Sequence, residues 1–309
     1  VAARERFRHE VAADELRSAE NEQSHGYTYN PPVAIAVAPL SVRSALTPTG
    51  GYLHSFTHSL NPYSGCVFGC PYCYVRQGMP ARLEPLPWGR WVKPKLDVAG
   101  RLDEELARAG RRGRLGGLRV FLSSATDPYQ PQERRLGLTR ACLEAFARRP
   151  PGLLVVQTRS PLVARDLDVL VALRERVWVS MSVETDDEAV RRAITPACPP
   201  IPLRLEAMER LLAAGLRVQA AVSPVLPHRA DRLVALVAPR ATRVVVDTFV
   251  SGDGSGGKRT GRNGIPALWE RLGYGDWSDE RAARALHAAF VARLGAERVT
   301  WSRDGFNGM

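Results

Sequence analysis

The chain is poor in cysteine, with five in 309 residues. A small, odd count argues against a disulfide-stapled secreted scaffold and predicts reduced thiols in a cytoplasmic protein. No run of about 18 uninterrupted apolar residues occurs, which excludes a helical membrane span. No apolar secretory segment stands among the first residues, which alternate in charge. No GxGxxG follows the first expected strand and no GxxxxGK[ST] occurs, so a dinucleotide fingerprint and a phosphate-binding P-loop are both missing. Zinc-finger and RNA-recognition signatures are absent as well. Acidic charge is scarce relative to basic, with 32 Asp and Glu against 43 Lys and Arg. The net charge of +11 favours polyanionic partners.

What is present begins with an ordinary globular composition, 45% hydrophobic and 24% charged. The length suits one large α/β domain or two smaller ones. Residues 1–20 read as an amphipathic helix and 24–52 as a turn-rich arm. Beyond them, Val- and Leu-rich runs at 118–122, 153–157, 177–183, 217–222 and 243–247 read as strands. Helical patterns at 134–148, 162–174, 202–214, 231–238 and 279–294 alternate with them. Short apolar strands separated by helices predict parallel strands joined by crossover helices. The division expected is an extension at 1–52, a core at 53–250, and a Gly-rich loop with a C-terminal helical segment at 251–309. The loop at 252–264 reads as a lid or surface loop, with phosphate binding as the weaker reading. Nine Arg or Lys against four acids at 90–119 read as a solvated surface, with a nucleic-acid contact as the sharper alternative.

Three of the five cysteines, Cys66, Cys70 and Cys73, lie within eight residues in a CxxxCxxC spacing. Three thiolates this close in sequence can converge on one metal centre, yet they leave a tetrahedral ion or a four-iron cluster one protein ligand short. An open metal position marks a reacting site rather than a structural one. Gly65 and Gly69 allow tight turns around a bulky inorganic core. The rival is a zinc site completed by His54 or His58, whose even separation puts them on one face of a strand.

The stretch Cys66-Val-Phe-Gly-Cys70-Pro-Tyr-Cys73-Tyr resembles the signature of radical S-adenosylmethionine (radical SAM) enzymes. Ser59-Leu-Asn-Pro-Tyr-Ser-Gly and Ser124-Ala-Thr-Asp-Pro-Tyr-Gln-Pro131 resemble the branch related to spore photoproduct lyase. The resemblance covers roughly 53–250. It implies an α/β fold, a partial (β/α)6 TIM-type barrel. Cys66, Cys70 and Cys73 would hold a four-iron four-sulfur cluster. S-adenosylmethionine would chelate the unique iron and be cleaved reductively, with a one-electron reductant such as flavodoxin or ferredoxin. Tyr72 would pack near the adenine. Ser124, Thr126 and Asp127 fall where the family binds the methionine amino group. Thr158 and Arg159 are candidates for its carboxylate, and Ser182 and Glu184 for carboxylate and ribose. Arg204 is placed to steady an anionic group. All lie at or beyond C-terminal strand ends, the active face of such barrels.

One departure bears on the reaction. Spore photoproduct lyase carries a hydrogen-donating cysteine where this chain has Ser124, and a serine O–H is a poor hydrogen-atom donor. Cys198 is the alternative donor candidate, and Cys142 reads as a buried bystander. Tyr129, Trp178, Trp269, Tyr274, Trp277 and Trp301 read as packing residues. The function expected is radical chemistry on a nucleotide, nucleoside or nucleic acid. The alternatives are radical modification of a peptide or small metabolite, and a nonenzymatic zinc or iron–sulfur nucleic-acid binder.

Overall fold

A computed structural model describes residues 35–275, 277 and 280–309. The amphipathic reading of residues 1–20 lies outside the described residues. Among the described residues there are eleven strands: β1 (Ala36–Val37), β2 (Leu46–Pro48), β3 (His58–Leu60), β4 (Tyr63–Ser64), β5 (Trp91–Pro94), β6 (Arg119–Leu122), β7 (Leu153–Thr158), β8 (Val177–Ser182), β9 (Arg217–Val222), β10 (Arg243–Val246) and β11 (Val299–Trp301). Eight of them form one sheet in the order β11-β10-β9-β8-β7-β6-β3-β2. Every pairing from β3 to β11 is parallel, and only the β2–β3 edge is antiparallel. The six units that start at β3 and β6–β10 form the partial barrel, and β11 continues it.

Helices cover the outside of the sheet, which is why its strands are apolar on both faces. Val244, Val245 and Val246 in β10 have no exposed surface, nor do Leu154, Val155 and Val156 in β7. Burying each such side chain stabilises the fold by about 1.5–3 kcal/mol. A second, three-stranded sheet, β1-β5-β4, flanks the barrel and carries the approach to the cysteine loop. Among the described residues no helix is long and apolar enough to cross a membrane.

Three helices differ from the sequence reading. Residues 134–148 break at Gly137, which takes φ +61°, leaving a short turn at Glu133–Leu136 and a helix at Leu138–Arg148. Residues 162–174 start as a 3-10 turn over Pro161–Asp166, capped by the Ser160 hydroxyl, before the helix Leu167–Ala172. Val98–Arg111 is a full helix that a reading by charge alone passed over. It buries Val98, Leu102 and Leu106 at helical spacing, and its basic residues point outward. Arg101 pairs there with Asp97 and Glu104. The basic stretch at 90–119 is thus largely an outer helical surface.

Candidate active site

The cysteine loop leaves β4 through Gly65, at φ +83°. A Cβ there would come within 2.5 Å of the Trp91 ring. Only glycine fits both the dihedral and the space. Gly69 N–H donates to Cys66 O at 3.3 Å and Cys73 N–H to Cys70 O at 3.1 Å, so consecutive turns present the three thiols. The segment after β6 holds this loop from behind. Thr126 Oγ1 donates to Gly65 O at 2.6 Å, and Val67 N–H donates to Gln130 Oε1 at 3.1 Å. The Tyr63 hydroxyl donates to Glu133, and Tyr74 donates to Ser124 O.

The loop forms one wall of a cavity of about 390 Å³ at the C-terminal ends of the strands. Cys66, Cys70, Cys73, Tyr72, Ser124, Thr126, Asp127, Thr158, Arg159 and Ser182 all line it. Asp127 is buried and supports the loop after β7. It accepts from Tyr129 N–H at 2.9 Å, Thr158 Oγ1 at 2.7 Å and Arg159 N–H at 2.9 Å. Ser182 Oγ accepts from Gln157 Nε2 at 3.0 Å.

Arg159 joins the loop to the end of β8. Its Nη1 lies 3.0 Å from Cys70 Sγ, 3.1 Å from Tyr72 Oη and 2.9 Å from Glu184 Oε1. Tyr72 Oη also donates to Glu184 Oε1 at 3.2 Å. Behind them Arg204 reaches Glu184 Oε2 at 2.8 Å and Ser182 O at 3.1 Å. Burial alone would raise the Glu184 carboxyl, but Arg159 and Arg204 hold it below its ordinary range. Glu184 and Arg204 therefore act on the cavity through Arg159 and Ser182 rather than from its surface. Cys198 is fully buried behind the wall, with its Sγ 3.7 Å from Cys70 Sγ. Cys142 is buried in the helix Leu138–Arg148.

The two metal readings make different demands on this donor set. Among the described residues no three His, Cys, Asp or Glu side chains gather closely enough for a single metal ion. His54 and His58 are not on the cavity wall. An iron–sulfur cluster makes a different demand, because each thiolate takes its own iron. Burial pushes the Cys66 and Cys73 thiols above their ordinary range, a cost that ligation to iron removes by replacing the proton. Trp91 and Gly89 crowd the glycines Gly65 and Gly69, so the chain has cleared side chains from the turns that carry the cysteines. Arg204 Nη2 is buried without a hydrogen-bond partner. These features fit a cluster held by three thiolates beside an anion-binding wall.

Sequence reasoning missed several residues. Asn61 fixes Ala125 N–H at 2.8 Å, and Gln130 fixes the loop backbone. Tyr52, Ser223 and Asp247 line the cavity as well. Asp247, directly after the Val run of β10, was the one with a readable signal: a carboxylate at a barrel strand's C-terminal end. The Gly-rich loop is not a phosphate cradle. Its amides at Ser255, Gly257 and Thr260 donate to the Asp253 carboxylate at 2.7–3.1 Å. Its Asn263 Nδ2 donates to Cys73 O at 3.1 Å, which lays the segment against the cysteine loop.

Comparison with known proteins agrees with this geometry. A spore photoproduct lyase structure with bound AdoMet and dinucleoside spore photoproduct superposes with a TM-score of 0.57 at 14% identity, over 86% of this chain and 81% of that one. A second spore photoproduct lyase mutant gives 0.59 at 13% identity, over 94% and 92%. At this identity the likeness is one of fold. An uncharacterized protein of Acidianus two-tailed virus is 34% identical over 178 residues, 55% of this chain and 56% of its own length. An uncharacterized protein of Methanocaldococcus jannaschii is 27% identical over 197 residues, 64% of this chain and 70% of its own. One from Mycobacterium tuberculosis is 32% identical over 181 residues, 57% of this chain and 52% of its own. The matched region thus spans little more than half of the viral and mycobacterial relatives. The family model of the radical SAM superfamily matches residues 60–236, from the end of β3 through the helix that follows β9. By that match, the chain belongs to the radical SAM superfamily.

Proposed function

We propose that this protein is a radical SAM enzyme that takes hydrogen from a nucleotide, nucleoside or nucleic acid. The observation that carries the reading is Arg159, which touches both the cysteine loop at Cys70 and the buried acid Glu184. With a four-iron four-sulfur cluster and S-adenosylmethionine bound, the site would be supplied with a 5′-deoxyadenosyl radical able to attack an unactivated C–H bond.

The protein's own residues hold, orient and shield. Cys66, Cys70 and Cys73 provide the thiolates. Ser124 and Thr126 offer oxygen acceptors for an amino group, with Asp127 holding the loop beside them. Arg159 provides a guanidinium for a carboxylate, the pairing in which Arg is strongest, and Thr158, whose hydroxyl donates to Asp127, positions the loop that carries it. Tyr72 presents an aromatic body for adenine. Ser182 is assigned to the ribose, and Glu184 acts behind it by orienting Arg159 and Tyr72, with Arg204 keeping Glu184 ionised. Asp127, Thr158, Ser182 and Glu184 are buried, which strengthens each contact they make. Cys198 is assigned as the hydrogen-donor candidate, a role for which the wall that buries it behind Cys70 must move. A one-electron reductant such as flavodoxin or ferredoxin is assigned as the electron source, in a cytoplasmic setting.

The nucleic-acid part of the reading rests on the net charge of +11 and on the likeness in fold to a lyase solved with a bound dinucleoside spore photoproduct. Anaerobic reconstitution and reduction in the presence of S-adenosylmethionine tests the chemistry. Formation of 5′-deoxyadenosine supports it, and its absence from a fully loaded protein rejects it. Deuterium passing from a nucleoside-containing substrate into 5′-deoxyadenosine supports the substrate class. Transfer only from a peptide would reassign it.

A further inference from the structure

Three carboxylates line the cavity among the described residues: Asp127, Asp247 and Asp253. Two are committed to their own loops. Asp127 accepts two backbone N–H groups and a threonine hydroxyl, and Asp253 accepts three backbone N–H groups. Asp247 differs. Its Oδ1 accepts one backbone N–H, that of Thr248 at 2.8 Å. Its Oδ2 faces hydroxyls alone, Tyr52 Oη at 2.9 Å and Ser223 Oγ at 3.3 Å. The Ser302 hydroxyl also bonds to it, so its four acceptor sites are filled, three of them by hydroxyls that can rotate away when another donor arrives. It is 1% exposed, and no cation pairs with it among the described residues. Burial pushes this carboxyl above its ordinary range.

A buried carboxyl without a counter-ion is costly and calls for an explanation. Packing does not supply one. Gly252 has yielded its side chain to the carboxyl, since a Cβ there would lie 2.2 Å from Oδ2. The surroundings are aromatic. Phe121, Phe306 and Tyr52 line the cavity together with Asp247, and the Tyr52 and Phe306 rings stand 6.1 Å apart. The platform is rigid. Asn307 Nδ2 donates to Tyr52 O at 2.7 Å and its Oδ1 accepts from Ser55 N–H at 2.9 Å. Arg243 holds the C-terminal turn through Gly308 O at 2.9 Å.

A hydrogen-bond acceptor set among aromatic rings is the chemistry that reads the edge of a flat heterocycle while stacking on its face. An anionic group would be repelled there, because no cation offsets Asp247. We propose that Asp247, supported by Tyr52 and Ser223, is a substrate subsite that accepts a hydrogen bond from an N–H on the edge of a nucleobase. Phosphate is left outside this subsite. The assignment rests on the nucleoside reading above and names the part of the substrate that this wall recognises.

Equilibrium dialysis of the anaerobically reconstituted protein with S-adenosylmethionine tests it, using tritiated uridine and 3-methyluridine as probes. These differ in one imide N–H. Uridine is expected to bind at least tenfold more tightly than 3-methyluridine, and Asp247→Ala to bring that ratio close to one. Equal binding of the two by the unaltered protein overturns the assignment, as does no binding of uridine. A ratio unchanged in Asp247→Ala also overturns it. The comparison in the unaltered protein stands even where the variant does not fold. Failure here with 5′-deoxyadenosine still formed rejects the subsite alone. Binding as expected with no 5′-deoxyadenosine formed rejects the proposed chemistry alone.

Discussion

Arg204 and Glu184 form an ion pair at 2.8 Å with side chains 1% and 4% exposed. Such a pair is expensive to break from one side, because the partner is left charged and buried. Glu184 is bracketed by two guanidiniums, so Glu184→Gln strands both. The variant is expected to lose about 3–5 kcal/mol of stability in denaturant titration. Its binding of S-adenosylmethionine should weaken as well, as Arg159 loses the carboxylate that orients it. A variant as stable as the parent would show that the pair does not organise this wall.

Gln130 has no exposed surface, and its side chain satisfies the Val67 amide in the cysteine loop. Gln130→Ala removes that hydrogen bond, a loss of about 0.5–1.5 kcal/mol. Iron per chain after reconstitution is expected to fall, with the loop less well held. Full iron loading and unchanged stability would contradict the role.

Gly65→Ala combines a left-handed backbone with a Cβ 2.5 Å from the Trp91 ring. Neither conflict can relax without moving β5 or the loop. The variant is expected to be insoluble or to bind no iron, whereas Gly100→Ala, at a helical position with open space, should be tolerated. Iron analysis of the two side by side checks this.

Much of the barrel was legible because its strands are buried on both faces. Continuous runs such as Arg243–Val246 need no neighbours to be recognised. His58–Leu60 was not, because three residues carry too little pattern and its partner β6 lies some sixty residues away. The helix Val98–Arg111 was hidden by its charge, although its apolar residues keep helical spacing. In the site, the cysteines were legible from spacing alone. Tyr52 was not, since it meets Asp247 across 195 residues and only the closed fold joins them.

The raised Asp247 carboxyl sets a pH dependence. Its folded form binds a proton more tightly than the unfolded chain does. Between the ordinary value of 3.8 and the raised one, the native state holds more protons, so this contribution to stability is fully present below 3.8 and is lost as pH rises. Asp247→Asn removes the term. The variant should therefore gain on the parent as pH rises through that window, by about 1.4 kcal/mol for each tenfold difference in proton affinity. Parallel stability curves for the two proteins would contradict it.

Cys198 is proposed as hydrogen donor and lies 3.7 Å from Cys70, so its removal separates donation from ligation. Cys198→Ala is expected to keep its iron and to form 5′-deoxyadenosine, while deuterium from solvent no longer reaches the product. Iron loss would instead make Cys198 part of the metal site. Unchanged solvent deuterium in product would exclude it as the donor.

The most direct test of the central claim is electron paramagnetic resonance of the anaerobically reconstituted, reduced protein with and without S-adenosylmethionine. Three cysteine thiolates with one iron left open give a four-iron signal that shifts when S-adenosylmethionine is added, and replacing Cys66, Cys70 or Cys73 with alanine abolishes it. A signal indifferent to S-adenosylmethionine, or a protein that takes up zinc and no iron, would contradict the account.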